Sequence, residues 1–175
     1  ASLTGQVREQ GILTSLFPGL IQESHGEIDV NLRMNGTWEE PLGEGTLKLA
    51  KAGAYLPTAG IDVKEVQLAI HLEKDLLRID SFRALSGPGH VEGTARIRLK
   101  GWKVAGYQGS VTGERFRSVY LPELQILASP NLTFEGTPDK LSIRGEVRLP
   151  ELIIVSQPAR ATVLPSRDVI LEGAP

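Results

Sequence analysis

Three histidines, His25, His71 and His90, stand in this 175-residue chain, and histidine is the residue type most used for proton transfer and metal binding. Any acid–base or metal chemistry would start with them. A catalytic metal needs about three converging ligands. None of these histidines stands at ligand spacing from another His, or from a carboxylate pair on one strand face. His71 falls on the polar phase of an alternating run and reads as a surface residue. His90 follows a Gly-Pro-Gly turn and reads as exposed or structural. No G-x-S-x-G elbow, H-E-x-x-H pair, Walker loop or dinucleotide fingerprint is present. Gly106 to Gly113 is rich in glycine, but no helical pattern follows it to complete a phosphate cradle. With no Cys there is no thiolate nucleophile, disulfide or thiolate metal site. The residues predict no catalytic group, no metal ligand and no cofactor, and an enzyme is not expected.

Charge narrows the partners. Lys plus Arg is 19 against 21 for Asp plus Glu, a net charge of −2 that makes no general field for nucleic acid or an anionic membrane. Arg96, Arg98, Arg144 and Arg148 are expected on a polar face. Without interleaved aromatics they read as a solubility feature. Asn131-Leu132-Thr133 is a glycosylation triplet of a kind common by chance. Aromatics are only 5%, so a core built on large rings is not expected. The best uncharged stretch, Gly11 to Gln22, contains Pro18 and Gly19 and is far short of the roughly 20 apolar residues of a spanning helix. The chain opens without a basic leader and reads as a piece of a longer protein, whose anchor or export signal would lie elsewhere.

The elements that must position any site are strands. Apolar and polar residues alternate over Glu27 to Asn35, Thr46 to Leu49, Val66 to Glu73, Leu77 to Asp80, Val91 to Leu99 and Leu141 to Leu149. Weaker runs lie at Tyr107 to Phe116, Leu124 to Ala128 and Leu132 to Phe134. Period-two alternation marks a strand with one buried face. The pattern predicts about ten strands. Phe82 and Ala84 change phase after Asp80, which predicts a bulge or a corner. Asn35-Gly36, Ser86-Gly87-Pro88-Gly89, Lys100-Gly101 and Thr137-Pro138-Asp139-Lys140 supply turns. One short helix is expected over Glu9 to Phe17, ended by Pro18. Strand follows strand without intervening helices, so a parallel βαβ sheet is not expected. The expected fold is all-β, and residues 1–175 are read as one unit.

The apolar phase of these strands is almost wholly aliphatic: Ile28, Val30, Leu32, Met34, Leu47, Leu49, Val66, Leu68, Ile70, Leu72, Ile79, Val91, Ile97, Leu99, Leu141, Ile143 and Val147. A sheet with one such face must cover it, by stacking, closing into a barrel or folding into a trough. A dry sandwich core and a groove lined for acyl chains both satisfy the pattern.

The order of the turns and strands resembles the TamB family. The run Gly26 to Thr37, followed by Pro41, Gly43 and Gly45-Thr46-Leu47, is similar to a repeating theme of that family. So are Leu56 to Ile61 leading into Val66, and Ser86-Gly87-Pro88-Gly89-His90-Val91-Glu92-Gly93. The most specific part is the sequence Ser129 to Leu132, then Gly145 to Pro150, then Ser166 to Ile170. The likeness covers roughly residues 26 to 173. After Pro150 the family often continues with a small residue, and here Glu151-Leu152 stands instead.

That resemblance implies an elongated β-taco, a sheet folded lengthwise around a hydrophobic groove, similar to AsmA-like bridge-type lipid transfer proteins. It implies a periplasmic segment of a protein anchored in the inner membrane of a two-membrane bacterium. The implied partners are phospholipid acyl chains and an outer-membrane assembly-factor barrel, TamA or BamA-like. The first implied role is passage of phospholipid between the membranes. The alternative is a chaperone-like scaffold for outer-membrane proteins and autotransporters. The aliphatic residues named above are then the expected lipid-binding groove.

Overall fold

The computed structural model describes residues 2–36 and 41–155. The described residues form ten strands and one turn of helix: β1 (Ser2–Gln10), α1 (Ile12–Leu16), β2 (Gln22–Gly36), β3 (Pro41–Leu56), β4 (Ile61–Lys74), β5 (Leu76–Ser86), β6 (Gly89–Lys100), β7 (Lys103–Glu114), β8 (Phe116–Tyr120), β9 (Leu124–Thr137) and β10 (Lys140–Ile154). All pair antiparallel in one sheet, in the order β1-β2-β3-β4-β5-β6-β7-β9-β10, with β8 off the path on β9. The sheet is curled and does not close. It is the expected all-β taco.

The hairpins are long and their turns short. Gly87-Pro88 alone joins β5 to β6, and Gly87 takes the left-handed conformation at φ 59°. The expected four-residue loop at Thr137 to Lys140 is narrower, because Thr137 and Lys140 themselves pair. The expected helix contracts to Ile12–Leu16, since Glu9 and Gln10 extend β1 beside Gly26 and His25. Thr37 and Ser166 to Ile170, parts of the family pattern, lie outside the described residues, as do the side chains of Ile12 and Leu16.

Curl comes from bulges in a band across the sheet. The register slips near Glu23 in β2, near Lys51 in β3 and near Glu65 in β4, and each of these residues has a left-handed backbone, at φ 53°, 50° and 49°. Further slips fall between Ile79 and Phe82, where the phase change predicts one, and between Arg148 and Glu151. A bulge adds a residue to one strand, bends it and raises its twist. Bulges at one level on three successive strands therefore fold that end of the sheet.

At that end β8 forms a strap. Arg115 lies against Gly89 at the start of β6, Arg117 against Gly87, and the Tyr120 N–H donates to the Ala59 carbonyl in the β3–β4 turn at 2.7 Å. The buried apolar side chains among the described residues, Ala52, Ile61, Ala84 and Leu127, come from this end of β3, β4, β5 and β9.

Candidate functional site

The register converts alternation along each strand into rows across the sheet. One row runs Leu3, Leu32, Gly45, Leu72, Leu77, Ile97, Tyr107, Gly136, Leu141. The next runs Gly5, Val30, Leu47, Ile70, Ile79, Ala95, Gly109, Phe134, Ile143. The third runs Val7, Ile28, Leu49, Leu68, Phe82, Gly93, Val111, Leu132, Gly145. Every position in the three rows is aliphatic, aromatic or glycine. At about 4.8 Å per strand, nine strands make a strip roughly 38 Å long. Counting ten strands gives a longer strip, but β8 leaves the path. A fourth row, holding Val66, Val91 and Val147, is interrupted by the bulges.

Fifteen of the seventeen expected groove residues fall in these four rows or, for Val66, at the bulge within them. Met34 and Leu99 lie beyond the rows, at the end of the sheet opposite the strap, where they pair with Gly43 and Val104. Leu3, Val7, Leu77, Phe82, Ala95, Tyr107, Val111, Leu132 and Phe134 belong to the same face but are not among the groove residues expected from the sequence. The signal that could find them is cross-strand pairing, in which a large residue faces a glycine. A Cβ at Gly109 would come 2.5 Å from Phe134 Cζ, and one at Gly136 would come 2.8 Å from the Tyr107 hydroxyl. Each ring thus lies over the partner strand's glycine, and the two rings sit 6.5 Å apart and tilted. Glycine opposite a ring leaves the ring's apolar face toward the strip with no side chain competing for the space.

Among the described residues no second layer covers the strip along its length. Its residues on the inner strands, such as Leu68, Ile70 and Ile97, are part-buried, and none is fully enclosed. On the two edge strands exposure rises, to 63% at Leu3 and 58% at Leu141. β8 makes its cross-sheet contacts with β4, β5 and β6 at the folded end alone. Glu9 closes the β1 end of the interrupted row. Its buried carboxylate accepts from the Gly11 and Leu13 N–H groups and from Ser24 Oγ at 2.9 Å, so it places no free charge in the strip.

The opposite face carries the charge. Glu27–Lys51, Arg83–Glu92, Glu135–Arg144 and Glu146–Arg148 pair there in solvent, each weakly. His71 is half-exposed and its Nδ1 lies 3.1 Å from Asp80, which also takes Arg78 Nε. Desolvation, the largest single influence, would raise the Asp80 carboxyl, but hydrogen bonds and charge from Arg78 and His71 together hold it below its ordinary value. The four arginines expected on the polar face are there, two of them in ion pairs. Among the described residues no group of His, Asp and Glu converges to hold a metal ion, and no helix is long and apolar enough to cross a membrane.

What the arrangement can do is hold apolar, extended matter along a strip without fixing it at any point. Residues 80–175, more than half of the chain, match the TamB C-terminal domain family. No solved structure matches. The chain belongs to the TamB family, a family of non-enzymatic transport and assembly modules of the cell envelope.

Proposed function

We propose that the apolar strip conducts phospholipid acyl chains through the periplasm, between the inner membrane that anchors the full-length protein and the outer membrane, where an assembly-factor barrel receives it. The observation that carries this reading is the continuity of three apolar rows over nine strands, none of them sealed by a second layer among the described residues. In water each exposed acyl CH₂ costs about 0.8 kcal/mol. A strip that contacts the chain at every strand removes most of that cost at each position, so the energy stays level along the path. No polar anchor interrupts the rows, and a chain can therefore slide. The groove residues named from the sequence, with Phe82, Tyr107, Val111 and Phe134 added, are the proposed contact surface.

Photo-crosslinking tests the reading. A benzophenone side chain at Leu68 or Ile70, on the strip, should capture phospholipid in cells, and one at His71 or Gln67, on the other face, should not. Equal capture from both faces would sink the proposal.

One observation favours a second reading. Among the described residues β10 is an edge strand with no partner on its outer side, and its Leu141, Ile143, Val147 and Leu149 are all at least 48% exposed. An unfolded barrel strand also alternates, and could pair with this edge while laying its apolar side on the strip. Pro substituted at alternate positions of β10 should then reduce outer-membrane protein assembly and leave lipid capture at Leu68 intact.

A further inference from the structure

The polar back of the sheet holds a feature that the strip does not use. A furrow of about 480 Å³ crosses β5, β6, β7, β9 and β10 there, and a second of about 720 Å³ adjoins it. The two share Arg96, Gln108, Glu135, Ser142 and Arg144 and so form one depression. Five cationic side chains line it against two carboxylates, in a chain whose net charge is −2. Volumes of this order hold small ligands.

The carboxylates are already engaged. Asp80 is held by Arg78 and His71, and Glu135 by Arg144. Arg96 and Arg98 have no carboxylate partner among the described residues. They stand two apart on one face of β6, and Arg96 is directly opposite Arg78 in the antiparallel ladder. Like charges placed so are unfavourable. On its other side Arg96 faces Gln108, whose amide adds a neutral donor. Two guanidinium forks without a carboxylate partner among the described residues, with a neutral donor beside them, leave positive charge and N–H donors that an anion can answer.

We propose that this depression binds a phosphate monoester group between Arg96 and Arg98. Two free arginines match the charge of about −1.5 to −2 that a phosphate monoester carries near neutral pH, whereas a single carboxylate would leave one arginine unanswered. Planar guanidinium forks also engage two oxygens each, which lysine cannot do. The site lies on the face opposite the acyl strip, so it does not depend on the conduit reading. The group could belong to a soluble phosphomonoester or to a lipid that carries one at a membrane surface.

The test is calorimetric titration of the chain with inorganic phosphate, beside flotation with phosphatidylcholine vesicles with and without phosphatidic acid. Wild type should bind phosphate saturably, and R96Q/R98Q at least about 10-fold more weakly. R96K/R98K, which keeps the charge and loses the forks, should fall between them. Leu68→Asp should bind phosphate as wild type does, which separates this site from the strip. Flotation with phosphatidic acid alone, lost in R96Q/R98Q, identifies a lipid-borne group. Phosphate binding without flotation identifies a soluble one. Unchanged binding in R96Q/R98Q, succinate binding as tight as phosphate, or no saturable binding in either arm overturns the proposal.

Discussion

The folded end of the sheet and its open run are built from the same strands with the same alternation, yet they do different work. At the folded end, bulges at Glu23, Lys51 and Glu65 turn the strands and β8 lies across them, and Ala52, Ile61, Ala84 and Leu127 lose nearly all contact with water, at 4%, 4%, 1% and 6% exposure. Along the open run no layer arrives among the described residues, and side chains of the same kinds, such as Leu68, Ile70 and Leu72, stay part-exposed. The fold thus encloses aliphatic side chains at one end and leaves side chains of the same kinds open along the rest. A protein selected for stability alone would enclose both sets, because stabilisation grows with apolar area buried. The difference places the stability of the unit at the strap and leaves the open rows free to meet a ligand.

The largest effect should come from introducing charge at the two places. Leu127→Asp buries an unpaired carboxylate under the strap and should cost about 4 kcal/mol or leave the chain unfolded. Leu141→Asp, in the open row on the edge strand, should cost under about 1 kcal/mol. Thermal unfolding of both variants checks the contrast. Similar losses at the two sites would mean that the open rows are a core after all.

A smaller effect tests the ring-over-glycine packing. A side chain at Gly109 would meet both Phe134 Cζ and the Thr94 carbonyl at 2.5 Å. Gly109→Val should therefore displace the ring and cost about 2 kcal/mol. The same substitution partnered with Phe134→Ala should recover part of that loss. Chemical denaturation of the single and double variants measures the coupling.

The smallest effect belongs to the polar face. Arg78 and His71 hold the folded Asp80 carboxyl below its ordinary value of 3.8. As pH falls the unfolded chain takes up this proton first. The stabilisation is therefore complete above that value, and disappears as pH drops through the lower folded one. Because Asp80 is over one-third exposed, the contribution should stay below about 1 kcal/mol. The Tm difference between wild type and Asp80→Asn should be present near pH 6 and gone by about pH 2.

Much of this fold was legible because antiparallel strands write their faces into alternation. Val91 to Leu99 and Val66 to Glu73 show it without interruption, and the phase change at Phe82 marks a real bulge. β1 was not legible. Its apolar phase reads Leu3, Gly5, Val7, Glu9, with a glycine where a side chain would signal and a buried carboxylate where an apolar residue would. That same Glu9 suggested a helix start. It does cap α1, but from a strand position, through its hydrogen bonds to Gly11 and Leu13. The aromatic part of the strip was hidden because Tyr107 and Phe134 matter through glycines on another strand, and pairing partners far apart in sequence leave no local pattern. The strap was hidden for the same reason. β8 is short and is defined by what it crosses. The furrow at Arg96 and Arg98 depends likewise on which residues stand opposite, although its arginines were visible from the start.

Native mass spectrometry of the purified chain, followed by lipid extraction, tests the central claim most directly. Wild type should carry phospholipid, and Leu68→Asp, which keeps its Tm within a few degrees, should carry none. A lipid-free wild type, or lipid retained undiminished on folded Leu68→Asp, would contradict an open acyl-binding strip.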